Sequence, residues 1–234
     1  MSGHTIKKII YFDAPGPQNT ATVIDAVKDR VKEGDVRYIV VASITGETAL
    51  NVAQSLKDGA ASVTCVSGCP SWQTHGEQYG RVKKYPFIDL KIRKRLEELG
   101  ARIVDTVPSS LSDSIEYGLA RYGFIPASWA VVETLLAIGG YGFKTAVEIV
   151  LMATDCGAIP PFTTVISIAG TDRGADTAIV ARSTYSPCIF GENEKQRLQI
   201  LEVLAMPKNK KWYDKVTCGE WNVNELARRQ GRNI

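Results

Sequence analysis

The chain has 234 residues, 44% of them hydrophobic, enough to bury a sizeable core without a metal or a disulfide. Its formal net charge of +3 is too small to argue for a nucleic-acid partner. The five cysteines are scattered without a Cys-x-x-Cys, and with only two histidines no His-rich metal site can be built.

Taken in order, Lys7 to Phe12 reads as a first strand, followed by the turn-rich Asp13-Ala14-Pro15-Gly16-Pro17-Gln18. Asn19 or Thr20 then caps a helix to about Glu33, with Val23, Ala26, Val27 and Val31 on its core face. A strand at 37–43, a helix at 47–57 and a strand at 61–66 follow. Ser67 to Tyr85 is a long irregular stretch, the kind of loop that a compact domain keeps for function. Asp89 caps a helix from about Leu90 to Leu99; Arg93, Lys94 and Arg95 beside Glu97 and Glu98 read as its solvated face. A strand at 102–107 and a helix at 114–122 come next. Two apolar helical patterns, 127–138 and 142–156, are separated by Gly139-Gly140. Strands at 164–169 and 177–182, a short helix near 192–198 and a strand near 200–206 complete the core.

Strands alternating with helices predict an α/β fold in three layers, with a mainly parallel central sheet and antiparallel additions near the end. The expected organisation is an α/β domain over 1–207 and a basic extension over 208–234. Met1 to Thr5 lacks the charged and apolar regions of a secretory signal. The longest apolar stretch, Ser128 to Met152, is broken by Glu133, Gly139, Gly140, Gly142, Lys144 and Glu148. The expectation is a cytoplasmic protein without a membrane span.

Two turns carry the functional reading. The run Ile39-Val40-Val41-Ala42 ends in Ser43-Ile44-Thr45-Gly46-Glu47-Thr48, and a helical pattern follows. Strand, short turn and helix aim backbone N–H groups at an anion, and Ser43, Thr45 and Thr48 could add hydroxyl donors. The plainer reading is that Thr45 merely caps the helix, with Glu47 in its positive first turn. The second turn, Gly170-Thr171-Asp172-Arg173-Gly174-Ala175-Asp176, joins two apolar strand patterns. Gly170 and Gly174 would let the backbone approach a ligand, and Arg173 is a bidentate partner for phosphate. Alternatively this is a tight hairpin carrying solvated charges.

Together these turns resemble the carboxy-terminal domain of pyruvate kinase. There a strand ends in a Thr/Ser-x-Ser/Thr-Gly-x-Ser/Thr-Ala turn, here Ser43-Ile44-Thr45-Gly46-Glu47-Thr48-Ala49, and a Gly-rich loop precedes the last strands, here Gly170 to Thr177. In some pyruvate kinases these two loops close over a sugar bisphosphate effector. The chain is similar to a family of stand-alone prokaryotic proteins related to that domain. The matching residues are Phe12-x-x-Pro15-Gly16-x-x-Asn19-Thr20, Val40-Val41-Ala42-Ser43-x-x-Gly46-Glu47-Thr48-Ala49-Leu50, Gly142-Phe143-Lys144-x-x-Val147-Glu148-Ile149, Gly174-Ala175-Asp176-Thr177-Ala178 and Glu202-Val203-Leu204-Ala205-Met206-Pro207. The stretch Cys65 to Gln78 and the tail after Pro207 depart from the pattern. The resemblance implies a pyruvate-kinase-C-terminal-like fold that holds flavin mononucleotide (FMN), and it implies no reaction.

The working expectation is therefore a protein that binds a phosphorylated small molecule, FMN first, through Asn19, Ser43 to Thr48, Gly170, Thr171, Arg173, Gly174 and Asp176. The alternative is a non-catalytic regulatory module answering to a sugar phosphate. A third reading is a partner-binding protein using the basic tail. No nucleic acid and no membrane are expected as partners, and a homo-oligomer is left open. Catalytic groups are weakly marked. Glu133 and Glu148 sit in apolar helical stretches where a carboxylate could act as a base of raised pKa, but Lys144 four residues before Glu148 points to a plain ion pair. Asp155 reads as a local group. Trp72 could stack on a ligand ring or simply pack in its loop. Cys65 and Cys69 could join His75 as zinc ligands, but Cys65 lies within a strand pattern and reads as a buried thiol.

Overall fold

A computed structural model describes residues 3–59, 61–75, 84–119 and 122–210. Part of the long irregular stretch, 76–83, and most of the basic extension, 211–234, lie outside the described residues.

The strands are β1 (Ile10–Phe12), β2 (Tyr38–Ala42), β3 (Ser62–Val66), β4 (Arg102–Val104), β5 (Thr164–Ala169), β6 (Thr177–Arg182) and β7 (Gln199–Pro207). They form one seven-stranded sheet in the order β1-β7-β6-β5-β2-β3-β4. β2 pairs in parallel with both β3 and β5, β3 with β4, and β1 with β7; β6 runs antiparallel to both its neighbours. The antiparallel addition expected near the end is thus the single strand β6, and β7 returns to the common direction.

The helices are α1 (Thr20–Val31), α2 (Glu47–Ser55), α3 (Leu90–Glu98), α4 (Ile115–Leu119) and α5 (Ala127–Asp155). Side chains alternate across a strand, and β2 shows what this does to layering. Ile39 and Val41 join a core with Val23 and Val27 of α1, Val52 of α2 and Leu96 of α3. Val40, between them, joins Ala146, Val150 and Ala153 of α5 on the opposite face. Because β2 is apolar at every central position, it is buried on both faces, as a parallel strand must be.

Several elements are shorter than their sequence patterns. β1 covers only Ile10–Phe12 because only Ala205, Met206 and Pro207 of β7 face it. β4 stops at Val104, where the Ser67 N–H takes the Val104 carbonyl. The 114–122 helix is seen over Ile115–Leu119, with residues 120 and 121 of the expected span lying outside the described residues, and the 192–198 helix is a single 3-10 turn at Glu194–Gln196. The cap at Asp89 is present, its carboxylate accepting from the Lys91 N–H. Asn19 and Thr20 do not cap α1 with their side chains. Asn19 Nδ2 donates to the Ala14 carbonyl at 2.8 Å and Thr20 Oγ1 to the Pro17 carbonyl at 2.7 Å, so both close the preceding turn.

α5 has the length and apolarity of a membrane span, yet 67% of its apolar window is buried inside the protein. It also breaks where Gly139-Gly140 predicts a separation, since Gly140 has φ 79° and ψ −176°. The segment after the break packs on β5, β2 and β6, while the segment before it builds a small separate core through Val132 and Leu136. Glu133 lies off that Val132–Leu136 stripe. It is exposed and accepts from Trp129 Nε1 at 2.7 Å, so it is not a buried base. Asp155 is not a local group either, because it accepts from the Ser186 N–H at 2.8 Å and from the Ser186 hydroxyl.

At the amino end of the sheet, Arg30 in the last turn of α1 is 6% exposed. Its guanidinium bonds Glu202 of β7 through Nε at 2.9 Å and Nη2 at 2.8 Å, and also holds Asp35. The hydrogen bond from Arg30 pulls the Asp35 carboxyl below its ordinary value, against the opposing effect of burial.

Candidate functional site at the carboxyl edge

The turns singled out in the sequence leave the sheet at one edge. β1 runs into 13–19, β2 into 43–46, β3 into 67–75, β4 into 105–114 and β5 into 170–176. From β2 the chain proceeds to β3 and β4 in one direction along the sheet, and from β5 to β6 and β7 in the other. β2 and β5 are neighbours, with Val41 opposite Ile168. The edge above them is where the strand order reverses, the place where open α/β sheets leave a crevice. The turns 43–48 and 170–176 rise on either side of it.

In the first turn, Gly46 is the residue before α2 and has φ 84°. A Cβ there would stand 2.7 Å from Cγ2 of Ile92, so the glycine is required by the turn and by packing against α3. Thr45 is not the cap. Ser43 Oγ accepts from the Thr48 N–H at 3.1 Å, because the left-handed Gly46 places Ser43 rather than Thr45 under the helix end. Ser43 and Thr48 are buried, Ile44 and Thr45 half-buried, and Glu47 exposed. The Ile44 carbonyl accepts from Ser67 Oγ at 2.6 Å, which ties this turn to the end of β3. Beneath it Cys65 is fully buried and donates to the Ser43 carbonyl at 3.6 Å. Burial pushes its thiol up to about 12, so it is a packed thiol as expected.

The second turn is bound to the loop after β1. Ala175 N–H donates to Thr20 Oγ1 at 2.9 Å. The fully buried Asp176 carboxylate accepts from the N–H groups of Gly16 at 3.1 Å and Thr171 at 3.0 Å, and from Thr177 Oγ1 at 2.9 Å. The two glycines serve this closure. A Cβ on Gly170 would stand 2.4 Å from the Gly174 carbonyl oxygen, and one on Gly174 would stand 2.4 Å from Thr20 Oγ1. Arg173 is exposed and has no ion pair among the described residues. Thr171 Oγ1 is buried without a hydrogen-bond partner. A buried hydroxyl of that kind costs free energy until something supplies its bond.

Besides the start of α1, whose Thr20 is bound to the second turn, the starts of α2 and of the inner half of α5 lie at this edge. The part of α5 after Gly140 begins beside Asp176, where a Cβ on Gly142 would stand 2.5 Å from Asp176 Oδ1. A buried carboxylate already answers the positive end of that helix. At the start of α2 the neutral Ser43 hydroxyl takes the Thr48 N–H, and the carboxylate in the first turn is the exposed Glu47.

A polar network that the sequence only half revealed lies on the α5 side. Lys144 and Glu148 form the expected i,i+4 pair at 2.5 Å, with side chains 14% and 10% exposed. Glu148 also accepts from the hydroxyls of Ser109 and Ser112, and Lys144 Nζ donates to Ser112 Oγ at 3.0 Å. Burial pushes the Glu148 carboxyl up, but the Lys144 charge and these hydrogen bonds outweigh it and leave it below its ordinary value. Asp113 continues the network by accepting from the Ser109 N–H and from Trp72 Nε1, each at 2.9 Å. Trp72 is held in its loop by this bond and packs over Gly68. Ser109 and Ser112 went unnoticed in sequence. Their only signal is the Pro-Ser-Ser-Leu-Ser-Asp composition of the turn, which looks like any solvated loop.

No protein-family model matches the chain.

Proposed function

We propose that this protein binds a phosphorylated small molecule, FMN in the first instance, in the crevice between the turns 43–48 and 170–176. The observation that carries the reading is the placement of these two turns on adjacent parallel strands where the strand order reverses. The phosphate sits at the start of α2, where Ser43 already takes the Gly46 and Thr48 N–H groups and the donors offered are the remaining first-turn N–H groups and the hydroxyls of Thr45 and Thr48. The start of the inner half of α5 is the weaker choice, because Asp176 would repel an anion there. Arg173 supplies the counter-charge from the opposite turn. Thr171 Oγ1, buried and unpartnered, fits a ligand that brings a hydrogen-bonding atom to this loop. When bound, a flavin would supply the redox chemistry; the residues described here bind and orient it. The fold and ligand expected from the pyruvate kinase likeness enter on the same footing, as parts of this proposal.

An absorption spectrum of the purified protein, followed by calorimetric titration with FMN and with a sugar bisphosphate, tests it. A flavin band or saturable FMN binding supports the reading. Saturable sugar bisphosphate binding with none for FMN replaces it with the regulatory alternative, and no binding of either removes the site.

A further inference from the structure

Lys144 has three N–H bonds, and among the described residues two of them have partners, Glu148 and Ser112 Oγ. It lies one turn inside the break at Gly140, at the carboxyl edge, and its side chain is 14% exposed. We propose that Lys144 donates its remaining N–H to a carbonyl oxygen of a small molecule held at this edge, while Ser112 and Glu148 fix the ammonium in place.

Three observations support this. First, the group is held rigidly. Glu148 is bound by Ser109 and Ser112 as well as by Lys144, and Ser109 also accepts from the N–H groups of Leu111 and Ser112. A donor with so little freedom loses little entropy on binding. Second, stability alone does not call for the network. A buried ion pair is roughly matched by an apolar pair of the same volume, and α5 is apolar on either side of it. Third, charge selects the ligand chemistry. Glu148 already balances Lys144, so the pair offers a strong donor with no excess positive charge. A phosphate or a carboxylate gains little from such a pair and meets the Glu148 charge behind it. A carbonyl oxygen needs one good donor and brings no charge. The carbonyl has two sources, an isoalloxazine ring or a small ketone substrate, and they are separable by experiment. The proposal shares an edge with the phosphate site and does not require it.

The test uses the full chain uniformly labelled with 15N, in which the lysine Nζ and the backbone amide signals are both read. The Lys144 Nζ signal is identified by its loss in Lys144→Met and, should that variant not fold, by its displacement in Ser112→Ala. FMN and hydroxyacetone are then titrated separately. A saturable shift of the Lys144 signal is expected with one of them, FMN marking the ring as the source and hydroxyacetone a ketone substrate. A Lys144 signal that stays still while FMN shifts the backbone amides of Gly46 to Thr48 overturns this proposal and leaves the phosphate reading standing. A moving Lys144 signal with still amides does the reverse. No movement anywhere overturns both.

Discussion

The Gly16 N–H donates to Asp176 Oδ2 across 3.1 Å, joining turns 160 positions apart in the chain. The same oxygen takes the Thr171 N–H, so one carboxylate fixes both loops on the β1 and β5 sides of the edge. Asp176 is fully buried with both oxygens engaged, which makes it an organiser of the turns.

Asp176→Ala should therefore strip partners from two backbone donors and one hydroxyl. The expected loss is about 3 kcal/mol, from one to three for each buried group left unpaired. Asp176→Asn keeps the volume and part of the acceptor capacity and should cost less. Urea unfolding of the two variants gives the comparison; equal and small losses would show that the carboxylate does not hold the loops.

Ser43→Ala removes the side-chain acceptor of the Thr48 N–H at the start of α2. A lost cap costs about 1 kcal/mol. Thr45→Ala should leave stability nearly unchanged, since Thr45 does not cap. Melting temperatures of both variants distinguish the two residues, and a larger drop for Thr45→Ala would reverse the assignment.

If Arg173 reads the phosphate, Arg173→Ala should weaken FMN about tenfold at low salt and leave riboflavin almost unaffected, the equivalent of one charge-assisted hydrogen bond at an exposed site. Calorimetry with both ligands at two salt concentrations measures this. Equal losses for the two, or none, would return 170–176 to an ordinary turn.

The acid limb of stability should carry the signature of Glu148. Its folded carboxyl lies below the ordinary value of 4.5, so its contribution is complete above that pH and fades as the pH falls through the depressed folded value. Asp35, held by Arg30 below 3.8, adds to the same limb at lower pH. Glu148→Gln should be less stable at neutral pH by about 3 kcal/mol, because Lys144 loses its counter-charge in a buried site. Its stability should also vary less between pH 5 and pH 3, the range that spans the ordinary value of 4.5 at which the unfolded-state carboxylate takes up its proton. Urea midpoints across that range decide it, and parallel curves for the two proteins would count against the pair.

Much of this arrangement could be read from the chain. Apolar runs such as Ile39-Val40-Val41 are legible because a strand buried on both faces has no polar position to confuse the pattern. The break in α5 was legible because paired glycines interrupt an otherwise continuous helical pattern. Caps were not. Asn19, Thr20 and Thr45 all stand where a cap belongs, but tertiary contacts and the left-handed Gly46 decided which hydroxyl lies beneath each helix. Nor could spacing reveal that Gly170 is small because of the Gly174 carbonyl and Gly174 because of Thr20, or that Ser109 and Ser112 meet Glu148. Such pairings are set by the fold as a whole.

The Arg30 cluster binds α1, the turn before β2 and strand β7 at the end of the sheet opposite the turns discussed above. Between the two ends, β2, β5 and β6 are buried along nearly their whole length. Thermal tolerance can be adjusted at the Arg30 end, by changing Asp35 or Glu202, without redrawing the crevice. The sheet thus stands as an insulator between the Arg30 fastening and the turns of the carboxyl edge, and substitutions at the two ends should combine additively.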